Sequence, residues 1–337
     1  REPGSSTTPP QPTILTKLTG ETLVDYLRPR LFAPLGIENP TWDTDPQGRS
    51  LGGSGLHITT EDIARFGQMY LQKGEWNGQR ILTEAWIDEA TTAHSDNSNT
   101  QTNPDWTAGY GYQFWRCRFG GAYRGDGAFG QFCIVFPEHD AVLAMTSGVQ
   151  NLQLVLDRVW EHLLPAFGDT TLPEDPAAQK ALTSRLSSLT LPVAEGASAS
   201  GIAAAVSGTT YEIEPNEFSI ERVRFSFDED STTVTFTNGL GEQPVSAGYG
   251  VWREGTSESR VLGREYPWSS GLGKERMAAC GIWIADDTFE LRICYTESEV
   301  CPILRFHFSA KQIAIEVEPN VSWEEPTRTI LTGRGES

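Results

Sequence analysis

The apolar patterning changes character near residue 170, and this change constrains the chain more than any other feature. Before it, helical spacings dominate and then strands appear. Beyond it, nearly every segment alternates apolar and polar residues, the period of a strand with one buried face. The junction reads Phe167-Gly168-Asp169-Thr170-Thr171-Leu172-Pro173-Glu174-Asp175-Pro176. Glycine and proline punctuate it as a linker. An Ala/Ser/Gly stretch follows at 194–200. At ~150 residues per domain, 337 residues suggest about two domains. The expected division is a linker or cut end at 1–12, a first domain at 13–167, a linker with a short helix at 168–200, and an all-β domain at 201–337.

In the first part, 21–32 has helical spacing, with Val24, Leu27 and Leu31 on one face and a break at Pro29. Thr59-Thr60-Glu61-Asp62 opens a second helix carrying Ile63, Phe66 and Tyr70, and Lys73-Gly74 stops it. Thr83 caps a third. Strands are expected at 109–116, 132–136 and 141–146, the last two joined by a Pro137-Glu138-His139-Asp140 hairpin. Leu152, Val155, Val159 and Leu163 predict a long amphipathic helix packed on that hairpin. Further on, 222–227, 232–237, 278–284, 289–295, 303–308 and 313–317 read as strands of a closed antiparallel barrel or a sandwich.

Charge excludes some functions. With 26 Lys+Arg against 45 Asp+Glu, the net charge of −19 repels nucleic acids and anionic lipids. No apolar run reaches the ~18 residues of a membrane span. Five cysteines, Cys117, Cys133, Cys280, Cys294 and Cys301, lack any CxxC pair and read as buried thiols, with a Cys117–Cys133 disulfide as the alternative. Reduced thiols fit a cytoplasmic protein, although a targeting signal would lie outside this chain. No histidine has a partner at i+4, so a helical metal pair is excluded; the GxGxxG of a strand-to-helix turn and GxxxxGK(S/T) are absent too, and no metal or organic cofactor is expected.

Serine chemistry is tested by the lysines. A helix-borne Ser-x-x-Lys lets an amine activate a hydroxyl one turn away. The residues three before Lys17, Lys73, Lys180, Lys274 and Lys311 are Ile14, Tyr70, Ala177, Gly271 and Phe308, so the motif is absent. None of the nine tyrosines begins a Tyr-x-Asn. No GxSxG elbow occurs.

An ordered set of segments nevertheless resembles one family. These are Thr19-Gly20-Glu21-Thr22-Leu23 leading to Pro34-Leu35-Gly36-Ile37, Gly52-Gly53-Ser54-Gly55-Leu56-His57 running into Ile58-Thr59-Thr60-Glu61-Asp62, Gly74-Glu75-Trp76-Asn77-Gly78, Gly109-Tyr110-Gly111-Tyr112, and Arg124-Gly125-Asp126-Gly127-Ala128-Phe129-Gly130-Gln131. In this order they resemble the serine β-lactamase-related hydrolases: class C β-lactamases, D,D-peptidases and related esterases. The resemblance implies an α/β (α+β) penicillin-binding-protein-like partial domain with an antiparallel sheet. Residues 13–167 would be the C-terminal half of the catalytic domain, and the rest an appended, lipocalin-like β domain. It implies acyl-enzyme chemistry on an ester, amide or β-lactam, with the Ser-x-x-Lys half absent from this chain. Gly125, Asp126 and Gly127 would form the third-motif strand, and the Ala128 N–H would complete the oxyanion hole. Gly125 departs from the family's Lys or His. Gly55, Tyr110 and Tyr112 would line the substrate cleft, with the two tyrosines and Trp115 alternating on one strand. Ser95-Asp96-Asn97 spells a catalytic motif of other β-lactamases but reads as a surface loop. The implied partners are a small-molecule or peptide substrate and the missing N-terminal half or a second copy. Without that cover, the first half is expected to be unstable or to associate. The absent nucleophile also fits a different class, a non-catalytic binding or regulatory protein.

Overall fold

The computed structural model describes residues 10–45, 47–98, 103–168, 170–257 and 274–336. They divide into two units, one up to Arg158 and one from Val159.

The first unit is built on a four-stranded antiparallel sheet of β1 (Trp115–Arg116), β2 (Tyr123–Gly127), β3 (Gln131–Phe136) and β4 (Ala141–Met145), in that spatial order. β3 reads Phe132-Cys133-Ile134-Val135-Phe136 and is buried on both faces, as a continuous apolar run requires. Helix α1 (Thr60–Leu71) covers one face. Its start is a reciprocal capping box: the Asp62 N–H donates to the Thr59 hydroxyl at 3.2 Å, and the Thr59 N–H donates to the Asp62 carboxylate at 3.0 Å. Such caps contribute about 1 kcal/mol. A Cβ at Gly67 would stand 2.6 Å from Val142 and 2.7 Å from the Cys133 sulfur, so glycine sets how closely the helix approaches the sheet. On the other face, Gln153 of α2 (Leu152–Arg158) bonds Asp105 at 3.0 Å, and the Asp105 carbonyl accepts from Arg124.

Local readings change where the backbone departs from regularity. The 21–32 helix is α-helical at Leu23–Leu27 and runs on directly as a π-turn at Arg28–Phe32, so the irregularity falls at Pro29, which has no N–H to donate to the preceding turn. The expected strand at 109–116 survives only at Trp115–Arg116. Gly109 (φ 108°) and Gln113 (φ 64°) are left-handed, so the chain folds back and Tyr110 bridges to both Ser95 and Trp115. The long helix is α2 followed by a π-turn at Val159–Leu163. A helix at Pro10–Thr19 starts inside the segment expected as linker, whose first nine residues lie outside the described ones. A Cys117–Cys133 disulfide does not form: the Cys133 thiol faces the Ile63 carbonyl of α1, whereas Cys117 lies beside Arg124 on the opposite face.

The second unit is a closed β-barrel. Its strands are β5 (Thr210–Ile213), β6 (Arg222–Phe227), β7 (Ser231–Asn238), β8 (Gly241–Tyr249), β9 (Arg253–Ser257), β10 (Glu275–Ala285), β11 (Thr288–Tyr295), β12 (Ile303–Ser309), β13 (Gln312–Glu318) and β14 (Thr329–Gly335). The ring runs β8-β7-β6-β5-β14-β13-β12-β11-β10 and returns to β8, with β9 added along part of β10. Nine strands cannot all alternate in direction around a closed ring, so one pairing must be parallel. That pairing is β8–β10, where Gly248 meets Cys280 and Tyr249 meets Gly281. A Cβ on Gly281 would stand 2.5 Å from the Phe289 ring, so the seam lies where that ring needs space. Inward positions are apolar: Phe225, Phe236, Phe289, Leu291, Phe306 and Ile315 are all 0–1 % exposed. A helix, Pro176–Ser187, lies between Val159 and the barrel strands in sequence.

Candidate functional site

The glycine strand β2 sits between β1 and β3, opposing Gly125 to Cys133, Asp126 to Phe132 and Gly127 to Gln131. Gly125 to Gly127 are half-buried and Ala128 is exposed at the strand's end. The turn that follows is tightly held. Phe129 (φ 61°) and Gly130 (φ 91°) are left-handed. The Gln131 side-chain amide donates to the Ser147 carbonyl at 2.6 Å, and the Ser147 hydroxyl donates to the Gly130 carbonyl at 2.7 Å. The Val149 N–H donates to the Phe129 carbonyl at 3.0 Å. The backbone leaving Gly127 is therefore fixed by groups that follow β4.

Nothing structural demands glycine at 125. Its φ is not left-handed, and a Cβ would meet only the Cys133 Cβ, at 3.8 Å. At Gly127 the Gln131 Cβ would stand at 2.9 Å. A Cβ is therefore accommodated at Gly125 and crowded at Gly127.

Asp126 is paired rather than free. Its carboxylate is 6 % exposed and accepts from the Arg124 Nε at 2.9 Å. Arg124 is wholly buried and also donates to the Asp105 carbonyl at 3.0 Å; its guanidinium lies 4.6 Å over the Trp106 ring and 5.7 Å from that of Trp115. Asp105 is wholly buried too, held by Gln153 at 3.0 Å and Arg118 at 3.4 Å. Burial pushes the Asp126 carboxyl above its ordinary range, against the lowering by Arg124. Burial likewise raises the Cys117 thiol, opposed by the same arginine. The sequence reading missed Arg124, Asp105 and Trp106. The available signal was an arginine directly after the apolar Ala122-Tyr123 pair, where a charge needs a partner.

The cleft candidates part company. Tyr110 packs edge-on against Trp115 at 4.8 Å and senses the Asp126 charge, so these two belong to one neighbourhood. Tyr112 points elsewhere. It donates to Glu89 at 2.8 Å, stacks on His94 at 4.5 Å and lies 5.7 Å from Trp86. Gly55 closes the turn between the short strands Thr41–Trp42 and Leu56–His57, with its carbonyl accepting from the Asp43 N–H at 2.8 Å. Asp43 also meets His57 at 3.1 Å. Asn97 of the Ser95-Asp96-Asn97 stretch is buried. It bonds the Trp106 carbonyl at 3.0 Å and the Gly109 N–H at 2.9 Å, a structural tie beside a shallow cavity of about 380 Å³. Among the described residues, no group of three His, Cys, Asp or Glu could hold a metal ion, and no helix is long and apolar enough to cross a membrane.

A family model for beta-lactamase matches residues 13–163, which contain this whole arrangement. This stretch, somewhat under half of the chain, is similar to the serine β-lactamase-related hydrolases. The 6-aminohexanoate-dimer hydrolase of Paenarthrobacter ureafaciens is 28% identical over 142 residues, covering 40% of this chain and 36% of that protein. The chain therefore matches about a third of the length of this curated relative. Among solved structures, the octameric penicillin-binding protein homologue of Pyrococcus abyssi is 15% identical with a TM-score of 0.35, covering 95% of this chain and 62% of that one. A Bacillus anthracis protein assigned as a 6-aminohexanoate-dimer hydrolase is 24% identical with a TM-score of 0.37, covering 45% and 40% respectively.

Proposed function

We propose that this chain supplies the third-motif side of a β-lactamase-related serine hydrolase that works through an acyl-enzyme. A serine activated by a lysine, neither of them in a Ser-x-x-Lys of these residues, attacks an ester, amide or β-lactam carbonyl. The Gly125-Asp126-Gly127 strand receives the substrate backbone, and the Ala128 N–H donates to the oxyanion, a contribution of about 3–4 kcal/mol in other enzymes. Residues 13–167 then form the C-terminal half of the catalytic domain, and 201–337 an appended barrel domain. The missing half, or a second copy, completes the site. The observation that supports this most is the glycine strand ending in an exposed, rigidly held Ala128 inside the family-matched segment.

The test uses the gene product at its full natural length, treated with a fluorophosphonate and with a β-lactam and weighed intact. One adduct on a serine is the expected result. Absence of any adduct overturns the acyl-enzyme reading. It would favour the second one, a non-catalytic binding protein, for which the observation is Gly125: a position with no side chain although a Cβ would fit there.

A further inference from the structure

We propose that Cys294 and Cys301 form a redox-active dithiol on the barrel wall, which a low-molecular-weight disulfide converts into a reversible internal cross-link. The strand register carries the argument. β11 and β12 pair Leu291 with Leu304 and Arg292 with Ile303. Continued outward, the same register sets Cys294 opposite Cys301. The Ile293 N–H donates to the Pro302 carbonyl and the Tyr295 N–H to the Val300 carbonyl, both at 3.1 Å. Hydrogen-bonded pairs therefore flank the cysteines, which occupy the non-hydrogen-bonded site between them. At such sites the Cα atoms are only ~4.5 Å apart and the side chains are closest, within the range a disulfide spans. The two sulfurs lie 2.7 Å apart, with the Cys301 thiol donating to Cys294.

The surroundings suit exchange with a small molecule. Ile293 and Tyr295 point into the core, so Cys294 lies on the outer wall, and both cysteines are partly exposed. The connecting loop is already ordered: Asn320 accepts from the Cys301 N–H at 2.7 Å and donates to the Glu299 carbonyl at 2.8 Å. Cross-linking thus needs little movement. The hydrogen bond from Cys301 holds the Cys294 thiol below its ordinary value and pushes that of Cys301 up, which marks Cys294 as the attacking group. The Cys294 thiolate attacks one sulfur of the small disulfide and expels one small thiolate, leaving a mixed disulfide. Cys301 loses its proton to water and attacks the Cys294 sulfur, expelling the second small thiolate. Two protein thiols are oxidised, and one disulfide is reduced to two thiols.

The experiment equilibrates the full chain with glutathione and glutathione disulfide, quenches in acid, alkylates and digests with trypsin. Both thiols fall on one peptide, 293–305, bounded by Arg292 and Arg305. Two alkyl groups are expected under reducing conditions. None, with no glutathione retained, is expected under oxidising conditions, where the melting temperature should rise by roughly 5–10 °C from closing a short loop. Cys301→Ser should trap one glutathione on Cys294. Two alkyl groups on the wild-type peptide after oxidation, or a mixed disulfide that persists in the wild type, would overturn the proposal. Should Cys301→Ser fail to fold, which its reduced melting temperature reveals, the wild-type alkylation pattern decides alone.

Discussion

The two units solve the problem of a sheet's edges in opposite ways. In the barrel, each of the nine ring strands is paired on both sides, and the one concession is a short parallel seam at Gly248–Cys280. In the first unit the sheet stays open. β4, Ala141-Val142-Leu143-Ala144-Met145, pairs only with β3 among the described residues, although its five residues are apolar and half-buried. The interiors differ as well. The barrel fills its inside with interlocked rings, whereas the first unit buries Arg124, Asp105 and Asp126 beside two tryptophans. Closure needs only a repeating pattern and an oily inside. The open sheet leaves one side of β4 unpaired among the described residues and holds its buried charges in pairs.

The largest effects should separate these two cores. Phe306, set 4.9 Å from Phe225 and 6.3 Å from Phe236, is wholly buried. Phe306→Ala should cost about 3–5 kcal/mol in denaturant unfolding. Arg124→Met should cost a similar ~3–5 kcal/mol, by leaving Asp126 buried and unpaired. The cost of Arg124→Met should be partly recovered by adding Asp126→Asn, a rescue that Phe306→Ala has no means to receive. A loss under ~1 kcal/mol for Arg124→Met would break the distinction. A pH series sharpens it. Because burial raises the folded Asp126 carboxyl, its favourable contribution is present below the unfolded value of 3.8 and is lost as pH rises through the folded one. Wild type should therefore lose stability relative to Asp126→Asn on going from acid toward neutral pH.

Amide exchange on the full chain probes the edges directly. Ring strands such as β12 and β13 should exchange through global opening, and the outward amides of β4 at least ~10²-fold faster. Equal protection would mean that something covers β4, which would sharpen the case for a completing half.

A capping box and alternating strands are local, and both were legible before the structure. What escaped were pairs distant in sequence or set by a turn. Tyr110, Tyr112 and Trp115 suggest one alternating strand, but left-handed Gly109 and Gln113 turn the chain back, so Tyr110 meets Trp115 and Tyr112 meets His94. The candidate site was proposed from a motif and not from an environment: Gly125–Gly127 stood out in the sequence, while their buried neighbours Arg124 and Asp105 did not.

The smallest expected effect tests that environment. Gly125→Lys should change stability by less than ~1 kcal/mol, because the backbone there is not left-handed and a Cβ would make only ordinary contact. Gly130→Ala, at φ 91° with Ser147 against it, should cost more. Reversal of that order would mean that Gly125 is required by the fold.

By itself the sequence determined that helices and sheet give way to an all-β part, six of the barrel's strands and the ordered motifs of the resemblance, since periodicity and short-range spacing are properties of the chain alone. Only the tertiary structure decided that nine strands close through a parallel seam, that Arg124 neutralises Asp126, and that register brings Cys294 against Cys301. Each of these depends on which distant backbone groups meet, and packing and hydrogen-bond geometry settle that once the chain has folded.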